Sequence, residues 1–319
     1  MIKIENLVKS FGAKRAVDGI SFSVEKGEVL GFLGPNGAGK STTMRMITGF
    51  MPPTSGSAAI GGHDIGESPL EAKRLIGYLP ENAAAYPDMT VRGFLDFVAE
   101  LRGLDGEARG KALRRVIDLC FLDAVLEQTI ETLSKGYRHR TCLAQALIHD
   151  PEVLILDEPT DGLDPNQKHE VRNLIRELGR TKAIIFSTHI LEEVDAACTR
   201  AIIIDRGRIV ANGRPAELRA MSDIAGAVTL RAQGASLQAM AGKLAALGRV
   251  EESEGALRVF PGQKRAAGEL ARAVVEIAIR EGWQLEALRT EEGHLDEVFR
   301  RITLPDTMKR AATGTEARS

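Results

Sequence analysis

Apolar and polar positions recur with two different periods along the chain. Residues 1 to 33 read as short strands, "IKIENLV", "ISFSV" and "EVLGFL", with turns at Gly12 and Lys26-Gly27. "KSTTMRMITGF" has helical spacing and "PPTSG" reads as a turn. The pattern predicts a short helix from Pro69 to Leu75 and a strand from Ile76 to Leu79. From Val91 to about Phe121 it is helical in two stretches, "VRGFLDFVAELRG" and "ARGKALRRVIDLC". "TLSKGYRHRTCLAQAL", Thr132 to Leu147, predicts a further helix with Ser134 as its N-cap.

Three continuous apolar runs follow: "VLILD" (153–157), "AIIFS" (183–187) and "AIIID" (201–205). Unbroken runs of this length suit a parallel sheet covered on both faces. Helices are expected between them at about 167–179 and 190–198, giving an α/β core. After Arg219 the texture changes. "AVTLRA", "SLQAMAGKLAALG", the pair "RVEESE" and "ALRVFP" around Glu254-Gly255, "AAGELARAVVEIAIREG" and "WQLEALRT" give the order β-α-β-β-α-β, a ferredoxin-like pattern. "HLDEVFRRIT" adds an amphipathic helix. This places a second, α+β domain at about 222–304, after a first at 1–218. Phe260, Trp283 and Phe299 are expected in its packing rather than on a binding platform, and 305–319 reads as a disordered tail.

Composition narrows the function classes. A chain of 319 residues with 44% hydrophobic and 27% charged positions is an ordinary globular mix with room for about two domains. Net charge is -2 with no basic stripe, so a nucleic-acid partner is not expected. Cys120, Cys142 and Cys198 lie in apolar or helical contexts, outside any CxxC pair, and read as reduced thiols. "MIKIENLVKS" lacks a signal-type apolar stretch, and no apolar run approaches the roughly 18 residues of a membrane span. A cytosolic protein is expected, with any membrane role coming through a partner.

The candidate chemistry centres on "GPNGAGKST", which fits G-x-x-x-x-G-K-[ST] between a strand and a helix. Gly34, Gly37 and Gly39 let backbone N–H groups converge on phosphate oxygens, and Pro35, Asn36, Ala38 and Thr42 complete the cradle. Lys40 reaches the β- and γ-phosphates, and the Ser41 hydroxyl is a Mg²⁺ ligand. Asp157 ends a buried strand at the crevice where such sheets bind ligands, and is a second candidate for Mg²⁺. Glu158 follows as the candidate general base. His189, in "STH" after another core strand, is the candidate γ-phosphate contact that also orients Glu158. His63, His139, His149, His169 and His294 show no ligand spacing. The helix start at Ser134 is a second, weaker anion site.

"GPNGAGKS", "LSKGY", "VLILDEP", "DGLD" and "STH", in that order, resemble the ATP-binding subunit of an ABC transporter over about residues 1 to 215. "IGYLPENAAAYPDMTVRGFLDFVAELRGL" and the "LDEVF" ending are similar to the export branch that pairs with type-two permeases in drug, polysaccharide or gliding-motility export. The resemblance implies a P-loop NTPase core with an antiparallel β-subdomain and a helical subdomain at about 82–150. It also implies ATP as ligand, Mg²⁺ as cofactor and two subunits stacked head to tail, the second a copy of the chain or a paralogous ATPase subunit. A multi-span permease would hold the pair on the cytoplasmic face of the membrane.

Residue by residue, it puts Phe11 at the adenine-stacking position, where the family more often has tyrosine; a turn-flanking aromatic is the plain alternative. Glu81 stands where the wider family has a glutamine that contacts Mg²⁺ and water. Tyr86, Met89, Val91, Phe94 and Phe97 are expected either to line a groove for a permease helix or, for the two phenylalanines, to pack the helical subdomain. Ser134 and Gly136 would touch the γ-phosphate of the partner's ATP, and Asp161 to Asp164 would cross the same interface. The family's common LSGGQ is altered here by Lys135 and Tyr137, with Lys135 either near the partner's nucleotide or in solvent. The rival reading is a soluble ABC-type ATPase that uses the same dimer without a permease.

Overall fold

The computed structural model describes residues 1–82, 85–253, 255–262 and 268–303. The chain opens with the hairpin β1 (Ile2–Phe11) and β2 (Lys14–Val24), then β3 (Val29–Leu33) and α1 (Lys40–Ile47). The short strands β4 (Ser55–Ile60) and β5 (His63–Asp64) and the helix α2 (Pro69–Arg74) lead to β6 (Ile76–Leu79). The helices α3 (Val91–Leu101), α4 (Gly106–Cys120) and α5 (Lys135–Leu147) come next. Strand and helix then alternate through β7 (Val153–Asp157), α6 (Pro165–Leu178), β8 (Ala183–Thr188), α7 (Leu191–Ala197) and β9 (Arg200–Asp205), closing on β10 (Arg208–Gly213).

Among the described residues these strands form two sheets. One is antiparallel, in the order β2-β1-β4-β5. The other runs β10-β9-β3-β8-β7-β6 and is parallel except for the β9–β10 hairpin. Every residue of β3, β7 and β8 is buried, as their unbroken apolar sequences require of strands covered on both faces. These three strands are neighbours, with Leu33 opposite Thr188 and Asp157 opposite Ser187. Their C-terminal ends therefore deliver the glycine loop, the carboxylate pair and "STH" to one edge. The strands β4 and β10 were not marked by the sequence pattern. β4 is built of small residues, and β10 alternates half-buried with exposed positions in a hairpin.

The helices α3 to α5 contribute Leu95, Val116, Cys120 and Leu143 to an apolar cluster that they share with sheet residues such as Leu154 and Phe186. Val91 and Phe94 are 0% and 4% exposed in it, and Met89 and Phe97 pack against it. Of the two readings offered for Phe94 and Phe97, packing of the helical subdomain is the one observed; for Met89 and Val91 the groove expectation is corrected, because both lie in or against this cluster. Tyr86 stays exposed and meets the Phe94 and Phe97 rings edge-on, with centroids at 6.2 and 5.7 Å.

The chain divides into two compact units after Pro215. The helix α8 (Pro215–Arg219) leads into β11 (Val228–Gln233), α9 (Leu237–Leu244), β12 (Val250–Ser253), β13 (Ala256–Val259), α10 (Glu269–Arg280), β14 (Gln284–Thr290) and α11 (Leu295–Thr303). The sheet order β12-β13-β11-β14, antiparallel throughout, is the ferredoxin-like arrangement. Its core gathers Val228, Leu230, Leu257, Val274 and Trp283. Phe260 is buried under the Arg249 guanidinium, 4.1 Å from its ring centroid. Glu254 and the expected tail at 305–319 lie outside the described residues.

Candidate active site

The glycine loop follows β3 because the chain must turn tightly against neighbouring backbone. A Cβ on Gly34 would lie 2.5 Å from the Ile204 carbonyl oxygen, and one on Gly39 would lie 2.6 Å from that of Ala16. Gly39 also has φ of 111°, a conformation that L side chains rarely adopt. It is the N-cap of α1 and offers no side chain, so the first-turn N–H groups there are bare of any capping oxygen. The Ala38 N–H donates to Pro35 O at 3.1 Å, and its methyl is buried beneath the loop.

A cavity of about 420 Å³ opens on this loop. Pro35, Asn36, Gly37, Gly39, Lys40, Ser41 and Thr42 line it, together with Phe11, Lys14, Ala16, Glu81 and Glu158. Phe11 is half exposed, with Lys9 Nζ 5.4 Å from its ring centroid. Lys40 is buried; its ammonium donates to Gly34 O at 2.7 Å and lies 3.4 Å from Glu158 Oε1.

Asp157 is 1% exposed at the end of β7. Its Oδ1 accepts from Ser41 Oγ at 3.2 Å and from Ser187 Oγ at 2.5 Å. Its Oδ2 is buried and has no hydrogen-bond partner. Burial pushes this carboxyl above its ordinary range, against the pull of Ser187 and Ser41. A buried oxygen acceptor without a donor, beside a serine hydroxyl, suits a hard divalent cation.

Glu158 sits at φ of 52°, held by its N–H donating to Ser187 Oγ at 2.9 Å. Its Oε2 lies 2.9 Å from His189 Nδ1, and the His189 side chain is 52% exposed. One hydroxyl, Ser187, thus ties the Asp157 carboxylate and the Glu158 backbone N–H to β8.

Ser134, Gly136 and Asp164 are not among the lining of this cavity. They form a second group. Ser134 caps α5 by accepting from Tyr137 N at 3.3 Å, and Asp164 caps α6 by accepting from Gln167 N at 2.9 Å. Gly136 abuts Gln167, whose Oε1 would be 2.5 Å from an added Cβ. Lys135 Nζ pairs with Asp161 Oδ2 at 3.0 Å, so it binds the "DGLD" loop of its own chain.

Sequence reasoning missed Ser187, Lys14 and Gln167, and also Glu193, a buried carboxylate on α7. Ser187 was within reach, because it stands inside the quoted "STH". The others announce themselves only through contacts between distant segments.

A parallel sheet that brings a glycine loop, a lysine, a serine hydroxyl and an Asp-Glu pair to one crevice defines a P-loop nucleoside triphosphatase. The family described as "ABC transporter" matches residues 17–161. The chain is 42% identical over 220 residues to the linearmycin resistance ATP-binding protein LnrL of Bacillus subtilis (strain 168), covering 68% of this chain and 70% of that one. It is 34% identical over 305 residues to the Nod factor export ATP-binding protein I of Ralstonia nicotianae, covering 95% and 94% of the two chains. A solved ATP-binding subunit of an ABC transporter superposes with a TM-score of 0.65 at 29% identity, over 69% of this chain and 92% of that chain. The chain belongs to the ABC transporter family, as an ATP-binding and ATP-hydrolysing subunit.

Proposed function

We propose that this ATPase works as a head-to-tail dimer, with Mg²⁺, and powers export through a separate membrane permease on whose cytoplasmic face it sits. The observation that carries the dimer is the split between the two groups above. One chain gathers the phosphate loop and Glu158 on a cavity, with Asp157 bonded to Ser41 and His189 to Glu158, while Ser134, Gly136 and Asp164 gather elsewhere in the same unit. A two-fold stack turns two such split surfaces into two complete sites.

In each site Lys40 holds the β- and γ-phosphates, and Phe11 stacks on the adenine. Glu158 accepts the proton of the attacking water, and His189 fixes the orientation of that carboxylate. Asp157 Oδ2 and the Ser41 hydroxyl are the groups that would hold Mg²⁺, with Glu81 at the rim. When bound, the ion supplies positive charge to the phosphate oxygens. The partner's Ser134 hydroxyl and the N-terminus of its α5 add donors to the γ-phosphate. ATP therefore favours the closed pair, and hydrolysis releases it.

For the permease, the support is a surface groove of about 480 Å³ lined by Phe50, Tyr78, Val98, Leu101 and Arg102. Phe50 and Leu101 are 74% and 69% exposed there, which suits a short helix of a membrane partner. The export direction is supported by the relatives whose names describe export and drug resistance.

The deciding experiment mixes two inactive proteins, Lys40→Ala and Ser134→Arg. A mixed dimer keeps one site made of an intact loop and an intact partner surface, so activity should return to at most about a quarter of wild type. A mixture as inactive as either parent would sink the shared-site dimer. Co-purification of the chain with a multi-span protein from solubilised membranes tests the permease separately.

A further inference from the structure

We infer that Glu193 is a positioning residue for hydrolysis, acting through His189 and Glu158. Glu193 lies in the first turn of α7 and is 1% exposed. The ion pairs of the described residues do not include it. Its carboxylate instead accepts two threonine hydroxyls, one from the segment after β7 and one from the end of β8. Thr160 donates to Oε1, and Thr188 donates to Oε2 at 2.6 Å. Thr160 stands two residues after Glu158, and Thr188 immediately precedes His189.

These contacts close a ring. It runs from Glu158 through the chain to Thr160, across Glu193 to Thr188, along the chain to His189, and back by the 2.9 Å contact to Glu158. On the other flank, Ser187 holds the Glu158 N–H. Glu158 is thus held at its backbone by Ser187 and at its carboxylate by His189, and Glu193 bonds the segment after β7 to the end of β8 independently of that contact. Burying a carboxylate without a cation is costly, and packing alone would be served as well by an apolar side chain. A double acceptor is what two donating hydroxyls need.

The direction of those donations is also set. Thr188 Oγ1 accepts from Ile190 N at 3.0 Å, which leaves its own proton for Glu193. In Glu193→Gln one of the two threonines meets an N–H₂ and must reverse its role. The volume is kept, so the chain should fold.

This role rests on the reading of Glu158 and His189 given under Proposed function. Four full-length proteins test it by steady-state ATPase assay, fluorescent-ATP binding and thermal unfolding: wild type, Glu193→Gln, His189→Ala and the double variant. Glu193→Gln should lower kcat by about 10-fold or more, with KM for MgATP within about 2-fold and the unfolding temperature little changed. In the His189→Ala background the same substitution should add less than about a 2-fold loss, because the group it positions is gone. Thr188→Val, which keeps shape and loses the hydroxyl, should reproduce the kcat loss and serves if Glu193→Gln misfolds.

An unchanged kcat in Glu193→Gln, beside a reduced one in His189→Ala, overturns the positioning role alone. So do losses that multiply in the double variant, or a kcat that falls only in step with nucleotide binding and unfolding temperature. Full kcat in His189→Ala overturns the His189 reading and this role with it.

Discussion

Two helix starts in the first unit make an instructive pair. α1 begins at Gly39, which brings no capping side chain, and its first turn opens on a cavity already lined by Lys40, Ser41 and Glu158. α5 begins at Ser134, whose own hydroxyl caps the Tyr137 N–H, and its neighbours Lys135 and Asp161 pair with each other. Both are helix N-termini, yet only α1 has a buried cation, a metal-suited carboxylate and a base together at hand. A helix dipole alone is a weak selector; in the function proposed above, the first start is a reaction site and the second is a donor surface for another chain's phosphate.

The contrast can be broken in several ways, of decreasing size. Glu158→Gln should lower turnover by about 10²-fold or more while ATP binding persists, since a base is lost and the loop is intact. Sedimentation of that variant with ATP should show a dimer; a purely monomeric species would remove the reason for a second helix start. Ser134→Arg should cost nearly as much activity, on the order of 10²-fold, with fluorescent-ATP binding retained. Ser134→Ala is its control: loss of the cap should cost only about 1 kcal/mol of stability by chemical denaturation. If Ser134→Ala and Ser134→Arg both keep wild-type activity, α5 is an ordinary capped helix.

A smaller effect is expected at the rim. Glu81→Gln removes one negative charge from the cavity and should leave kcat within about 5-fold of wild type. Loss of all activity would mean that Glu81 does chemistry that an amide cannot.

The smallest effect concerns folding. Burial raises the Asp157 carboxyl above its ordinary value, so the folded chain binds that proton more tightly than the unfolded chain does. The favourable contribution is therefore complete at low pH and is lost as pH rises through the raised value. Without nucleotide, Asp157→Asn should melt about 2–4 °C above wild type at neutral pH. The gap should close as pH falls toward the ordinary carboxylate value of 3.8. A gap that widens on acidification would reverse the assigned sign.

The same pair shows what a sequence can carry. The glycine loop, Asp157-Glu158 and His189 were legible because each is a short run whose chemistry depends on adjacent residues. The β-α-β-β-α-β order of the second unit was legible for a similar reason, since each element has its own period. What ties the site together was not. Ser187 reaches Asp157 only because β7 and β8 pair with those residues opposite one another, and register is a property of two strands. Val91 failed differently, and Phe94 stayed open between two readings: helical spacing looks the same for a groove and for a core, and only burial in one apolar cluster with Leu95 and Val116 decided it.

Glu158 carries a consequence of another kind. Its backbone sits at φ of 52°, in a region that costs a non-glycine residue on the order of 1 kcal/mol or more. For backbone conformation alone, glycine is the better residue at this position, set against the loss of the ion pair with buried Lys40. Random mutagenesis screened only for heat resistance should therefore drift toward Glu158→Gly and collect inert proteins. Selection for transport must keep refusing that gain, so this codon is a place where durability and work are traded directly against each other.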